Sequence, residues 1–419
     1  MNKKQIIAWG LYDWANSAFS TLILTFVFAA YFTNAVMIDS VKAASLWSVA
    51  IGVSGICLLI LSPIFGAIAD HTRRLKSWII ALMMIMLFGL LLMDAPPEAS
   101  TSIIYKVIMG LIIANIGFEL GIVMVNTYLP HIATPKDQGR ISSFAWGMGY
   151  MGGIFAMLLC LLGFIGVGEI KPWFDLPRDT AEHIRAIIPI TAIWMLIFSL
   201  PLFILMPRLN NKIIQKRSLK IILLDPFIHA FHFMKENKEW RKFLMGSALY
   251  RDGLSTLFAV GGIYAAGKYG MSTEQILIFA IGMNITGGIG CFIAAFLEKK
   301  IAPLRVIRFC LLALMLFGMV ILAAPTAMMF MIAAMILGFF IGPVQSASRT
   351  LVSHLSTPDI IGERYGVYAL TGRAVSFIGP LLFAALTAIS NSQTIGLSSV
   401  ILLWAAGYAF ILMMKDKAE

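Results

Sequence analysis

Six charged side chains fall at bilayer depth within the long apolar stretches of this 419-residue chain: Asp13, Glu119, Arg251, Asp252, Arg349 and Arg373. A charge at bilayer depth costs about 2.5–3.5 kcal/mol on insertion scales, so each needs a compensating role. A carboxyl group withdrawn from water is suited to reversible proton exchange, which makes Glu119 a candidate for proton coupling or for binding an amine. A guanidinium offers a planar fork to a carboxylate, so Arg373 is a candidate for holding an anionic group, or else a partner for Asp252. Arg251 and Asp252 are adjacent and project about 100° apart on a helix, so both cannot face one cavity squarely. Asp252 is expected to face it, with Arg251 pairing between helices. The mixed set of Arg and Asp/Glu could hold both ends of a zwitterion; the plainer alternative for Glu119 is a structural ion pair between helices.

The elements that position these groups follow from hydropathy. A spanning helix needs about 20 apolar residues. Twelve runs qualify: 6–33, 45–69, 77–95, 103–128, 141–166, 186–206, 242–267, 275–297, 303–323, 326–353, 364–388 and 395–414. The pattern predicts an all-α integral membrane protein with 12 transmembrane helices. At about 1.5 Å of rise per residue, Glu119 lies about 24 Å into the fourth run from its outer end, past the midplane. On the same scale Asp252 and Arg373 lie about 14–15 Å from the inner ends of the seventh and eleventh runs. Asp13 is shallower, with Trp9 and Trp14 expected in an interfacial belt around it. Arg349, near the inner end of the tenth run, is expected to snorkel.

Composition supports this reading independently of any motif. Hydrophobic residues make up 59% of the chain and charged residues 13%, with a mean hydropathy of +0.87, against about 25% charged in soluble domains. In a soluble protein the net charge of +11 would suggest nucleic acid. Here, with both termini placed inside, 23 of the 32 Lys and Arg fall in inner segments, 6 in outer segments and three within helices, as the positive-inside rule requires. A lipid bilayer, and no nucleic acid, is therefore the expected surrounding.

Other chemistries find little support. Cys57, Cys160, Cys291 and Cys310 all lie in apolar runs without metal-ligand spacing and read as small hydrophobes. No His pair has HxxxH spacing, and His229 and His232 lack nearby carboxylate ligands, so neither metal nor cofactor is expected. No nucleophile–base set is visible, which argues against an enzyme. Gly147, Gly149 and Gly152 fit a dinucleotide pattern, but that fingerprint needs a preceding strand, and here close helix packing is expected. The 25 Met and 29 Phe read as membrane filler. Lys3 and Lys4 before an apolar stretch suggest a signal peptide, yet the stretch from Ile6 to about Phe32 exceeds a signal core of about 7–15 residues and reads as the first helix.

The one long basic polar stretch, 207–240, divides the chain into halves 1–206 and 241–419. Within it, Asp225-Pro226 reads as an N-cap with proline at the first helical position. Phe227, Ile228, Phe231 and Met234 then follow at helical spacing, predicting an amphipathic helix on the inner membrane surface. The halves echo each other. His131-Ile-Ala-Thr-Pro135 with Gly139-Arg140 matches His354-Leu-Ser-Thr-Pro358 with Gly362-Glu-Arg364, each after a helix with small-xxx-small spacing (Gly117 and Gly121; Gly338 and Gly342). Leu11-Tyr12-Asp13 likewise parallels Leu249-Tyr250-Arg251-Asp252. On the Gly117/Gly338 register, Glu119 corresponds to Phe340, so symmetric packing does not demand a carboxylate there.

Between the second and third runs lies Gly66-Ala-Ile-Ala-Asp70-His-Thr-Arg73-Arg74-Leu-Lys76. This spacing resembles the loop that marks the major facilitator superfamily of secondary transporters, built as two pseudo-symmetric six-helix bundles. The resemblance implies a gating role for Gly66, Asp70, Arg73 and Arg74, with Asp70 set at the positive inner end of the eleventh helix. Leu11-Tyr-Asp-Trp-Ala-Asn-Ser-Ala-Phe19, Tyr250-Arg-Asp-Gly253 with Thr256, Gln345-Ser-Ala-Ser-Arg349, and Tyr368-Ala-Leu-Thr-Gly-Arg373 with Gly379-Pro380 resemble one branch of it. This branch is the vacuole-effluxer-like transporters, called in bacteria the "unknown major facilitator" family.

That resemblance implies a carrier working by alternating access on a small-molecule substrate, with efflux of amino acids or similar metabolites, coupled to protons, as the first reading. Asp13, Glu119, Asp252, Arg349 and Arg373 are the candidates for substrate binding or proton coupling. A proton-coupled exporter of unrelated compounds or drugs, and a transport-silent sensor or scaffold on the same fold, are the alternatives. The chain length points to a bacterial cytoplasmic membrane with both termini inside.

Overall fold

The computed structural model describes residues 2–71, 74–166, 171–207, 228, 232–271 and 273–415. The expected amphipathic helix of the 207–240 stretch falls mostly outside the described residues, as does Arg73.

Among the described residues, every one of the twelve apolar runs is helical. The first half contributes α1 (Lys3–Val36), α2 (Ser40–His71), α3 (Leu75–Leu92), α4 (Thr101–Asn126), α5 (Pro135–Cys160) and α6 (Ile187–Leu205). The second contributes α7 (Lys238–Tyr269), α8 (Thr273–Leu297), α9 (Pro303–Ala323), α10 (Ala327–His354), α11 in two pieces (Ile361–Val375 and Ile378–Ser390) and α12 (Gln393–Leu412). Eleven of these helices are apolar and long enough to cross a membrane. The remaining one, α7, has the length at 32 residues, but adjacent Arg251 and Asp252 lower its hydropathy. Wider π-helical turns interrupt α1 at Phe19–Phe26 and Phe32–Val36.

Helix α1 packs on α5 and α6, α3 on α4, and α2 on α4, while α7 packs on α12, α9 on α10 and α12, and α8 on α10. Two seams join these groups: α2 lies along the first piece of α11, and α5 lies along α8 and α10. Small residues make such approaches possible where lipid offers no hydrophobic drive between helices. Gly117 of α4 sits on the backbone of α3 at Leu82 and Met86, and Gly152 of α5 on the backbone of α1 at Trp14. The Gly147–Gly152 run is thus interior to a packed helix, as expected.

Candidate functional site

The ends of the two seams carry the strongest polar contacts, and all cross between the halves at the end bearing most of the Lys and Arg. In the α2–α11 seam, the Asp70 carboxylate accepts the backbone N–H of Gly362 at 2.6 Å and of Glu363 at 2.7 Å. These are among the first N–H groups of α11, which have no partner within their own helix, and the dipole there favours a negative charge. Gly66 and Gly362 lie backbone to backbone, so that neither has room for a Cβ; Gly366 meets Ser62 and Pro63 in the same way. Arg74 is exposed. Beside Asp70, the Arg364 guanidinium lies 3.5 Å from the centre of the Phe233 ring.

In the α5 seam, Arg349 of α10 reaches into the first half. Nη1 donates to Asp13 Oδ2 at 2.9 Å, Nε to the Ser142 hydroxyl at 2.9 Å, and Nη2 to the Ser142 carbonyl at 2.7 Å. The guanidinium lies 4.4 Å over the Trp9 ring, and the side chain is only 7% exposed. Two expectations are corrected. Arg349 does not snorkel, because burial with a carboxylate and a serine satisfies its donors. Trp9 is no interfacial residue, since it is buried with Nε1 donating to the Val125 carbonyl at 3.0 Å.

Next to Arg349 sits a residue that the sequence reading passed over. Glu298, just beyond α8, is buried, and its Oε1 accepts the Ser143 hydroxyl at 2.9 Å. Ser143 also shares a 2.6 Å hydrogen bond with Ser346 of α10. The repeat held the signal: Glu298 stands four residues after Ala294, ahead of Lys299-Lys300, as Asp70 stands four after Gly66, ahead of Arg73-Arg74.

Deeper in, Arg373 of α11 donates to Glu119 of α4, an ion pair linking the two halves. Both side chains remain part exposed, at 30% and 28%, unlike the buried Arg349. The stripe Gly52, Gly55, Ser62 and Gly66 follows one face of α2. At Ser62 and Gly66 the backbone of α11 is in contact, whereas at Gly52 and Gly55 no atom lies within 4 Å of where a Cβ would stand. The helices therefore diverge away from the basic end. Arg373 stands seven residues beyond Gly366, about 10 Å further along the helix from the basic end.

Two neighbours shape Arg373's helix. Arg251 donates to the Tyr368 carbonyl at 2.8 Å and stacks 4.1 Å over the Tyr368 ring, an inter-helix partner as expected. Its guanidinium fills the space beside Gly372. Asp252 is not on the cavity: it is 1% exposed, and Oδ2 accepts the Gly379 N–H at 2.8 Å, at the start of the second piece of α11. This carboxylate caps the restarted helix, because an interrupted helix presents unsatisfied N–H groups there. Asp252 and Arg373 do not pair.

The architecture is that of a major facilitator superfamily transporter. It superposes on the fucose transporter FucP in the outward conformation with a TM-score of 0.74, at 14% identity, covering 99% of this chain and 98% of that one. A bacterial homologue of the iron transporter ferroportin, in an outward-facing state, gives 0.68 at 15% identity, covering 97% and 98%. Residues 34–418 match the model of the vacuole effluxer Atg22-like family, and the chain belongs to that family. An uncharacterized MFS-type transporter, YxiO of Bacillus subtilis, is 23% identical over 430 residues, spanning 99% of this chain and 96% of its own length. Autophagy-related protein 22-1 of Emericella nidulans is 22% identical over 275 residues, 59% of this chain and 45% of that protein. These relatives are transporters rather than enzymes.

Proposed function

We propose that this transporter works by alternating access and exports amino acids or similar small zwitterionic metabolites, with proton coupling at Glu119. The observation that carries the reading is the Glu119–Arg373 pair, one charge from each half, both part exposed. A zwitterion can replace both partners at once, its carboxylate on the Arg373 fork and its ammonium on Glu119, so neither charge is left unpaired at membrane depth. Binding would then draw the halves, 1–206 and 241–419, around one ligand. Asp70 and Gly66 of the α2–α11 seam, with Asp13 and Arg349 of the α5 seam, serve as the gate at the basic end, with Arg73 and Arg74 following in the same loop sequence. Efflux is favoured by the family description, and the basic loops favour a bacterial cytoplasmic membrane with both termini inside.

The test is purified protein in liposomes under an imposed pH gradient, loaded with mixed amino acids, with release followed by mass spectrometry. Gradient-dependent release of a subset, lost in Glu119→Gln, is the expected result. Absence of release under either gradient overturns the amino-acid reading.

A further inference from the structure

We propose that Glu298 is a proton-binding site coupled to the α5 seam, so that opening the basic end releases a proton there and closing it takes one up. The inference rests on the alternating-access reading.

The surroundings of Glu298 hold no cation that it could claim. Arg349 on α10 is the nearest positive charge, but its donors are taken by Asp13 of α1 and by Ser142 of α5. Helix α5 brings Ser143 and Gly139, and Gly139 packs so closely that a Cβ would stand 2.6 Å from Glu298 Oε2. Helix α9 brings the buried Cys310, a neutral thiol. On the residue's own helix stands the buried Cys291, while Lys299 and Lys300 are exposed. Glu298 Oε2 has no hydrogen-bond partner among the described residues. An ionised carboxylate so placed would be a buried charge without its counterion, which is costly; a proton removes the charge.

Burial accordingly pushes the Glu298 carboxyl from the ordinary 4.5 up to about 8 in the closed seam, against the lowering by Ser143, Arg349 and Ser346. If α5 and α8 separate, water reaches the group and its affinity returns towards the ordinary value. The sign follows from linkage. A group whose proton affinity is higher in the closed state stabilises that state fully at low pH. The stabilisation is lost as pH rises through the closed-state value. Between the two values, the open-to-closed ratio should rise by up to about tenfold per pH unit.

The same seam holds the network Ser142–Arg349–Asp13, so a proton leaving Glu298 unlocks contacts that both halves share. Asp70 sits on two backbone N–H groups, whereas the Glu298 carboxylate receives the Ser143 hydroxyl and leaves Oε2 without a partner among the described residues.

The experiment uses the full chain in nanodiscs, spin-labelled at Lys136→Cys and Thr357→Cys, which are exposed on opposite sides of the closed seam. Cys57 is replaced by Ser, the other three cysteines being buried. Electron–electron distance distributions are recorded from about pH 6 to about pH 9, with Glu298→Gln and Asp70→Asn alongside. The expected result is a longer-distance population that grows with pH in the wild type, is flat and small in Glu298→Gln, and is enlarged at every pH in Asp70→Asn. In parallel, pH-difference infrared spectra should show a protonated-carboxyl band that is absent in Glu298→Gln, a readout independent of gating. A pH response unchanged in Glu298→Gln, or a missing band, overturns the inference while Asp70→Asn still opens the seam. If neither pH nor Asp70→Asn changes the distance, the gate reading itself falls and this inference with it.

Discussion

Arg349 and Asp13 are 336 residues apart in the chain and 2.9 Å apart in space. The contact ties the first helix to the tenth and closes the α5 seam from inside. Removing one partner leaves the other as a buried, uncompensated charge, which typically costs about 3–5 kcal/mol. Arg349→Ala should therefore destabilise the closed form by about 3 kcal/mol and raise labelling of introduced cysteines at Ser143. Arg349→Ala combined with Asp13→Asn should be less harmful than the sum of the two single changes, because the pair is coupled. Additive losses in chemical unfolding would show that the contact carries no energy.

The Glu119–Arg373 pair should behave differently, since its side chains are part exposed and the role proposed for it is ligand exchange. Truncating one member of such a charge pair costs about 2 kcal/mol or more in binding, roughly a 30-fold loss. Arg373→Lys keeps the charge but loses the fork, so it should raise the substrate concentration needed for half-maximal transport. Unaltered transport in Arg373→Lys, with normal expression, would remove Arg373 from the substrate site.

Glycines of α2 divide by position. Gly66→Ala places a methyl group against the backbone of Gly362, and overpacking of this kind costs about 1–3 kcal/mol. The basic end should loosen, seen as faster hydrogen exchange in residues 361–366. Gly52→Ala, with room for its Cβ, should leave exchange at the basic end unchanged and add up to about 1 kcal/mol of helix stability.

Asp70→Asn removes the charge and one acceptor from the start of α11. The loss of helix-end interaction is about 1 kcal/mol, or roughly a fivefold shift toward the open basic end. Distance measurements across α2 and α11 would register it. A population identical to wild type would show that Gly66 packing alone closes the seam.

The fold was readable because membrane helices announce themselves: each apolar run of about 20 residues became a helix, and only the broken α11 needed three-dimensional information. The interruption at Ser376–Phe377 lies one turn before Pro380, which has no N–H for the Ser376 carbonyl and crowds it. Asp252, more than a hundred residues earlier, caps the restart at Gly379. The charges were identified as special by depth, but depth gives no azimuth. Periodicity therefore could not show that Asp252 turns into the helix bundle, that Arg349 turns inward to Asp13, or that Arg373 chooses Glu119. Glu298 escaped notice because it lies one residue past an apolar run, where a carboxylate ordinarily meets water. Only the packing of Gly139 against it reveals burial.

The first piece of α11, Ile361–Val375, offers its N–H groups to Asp70 at one end and Arg373 to Glu119 near the other. In the proposed function it is a lever about 22 Å long, with the proposed latch at one tip and the proposed ligand contact near the other. The break beyond Val375 uncouples the outer arm from this lever. Changes in the outer arm can reshape the entrance without altering the leverage between cargo and latch, so cargo preference and gate strength are free to evolve separately.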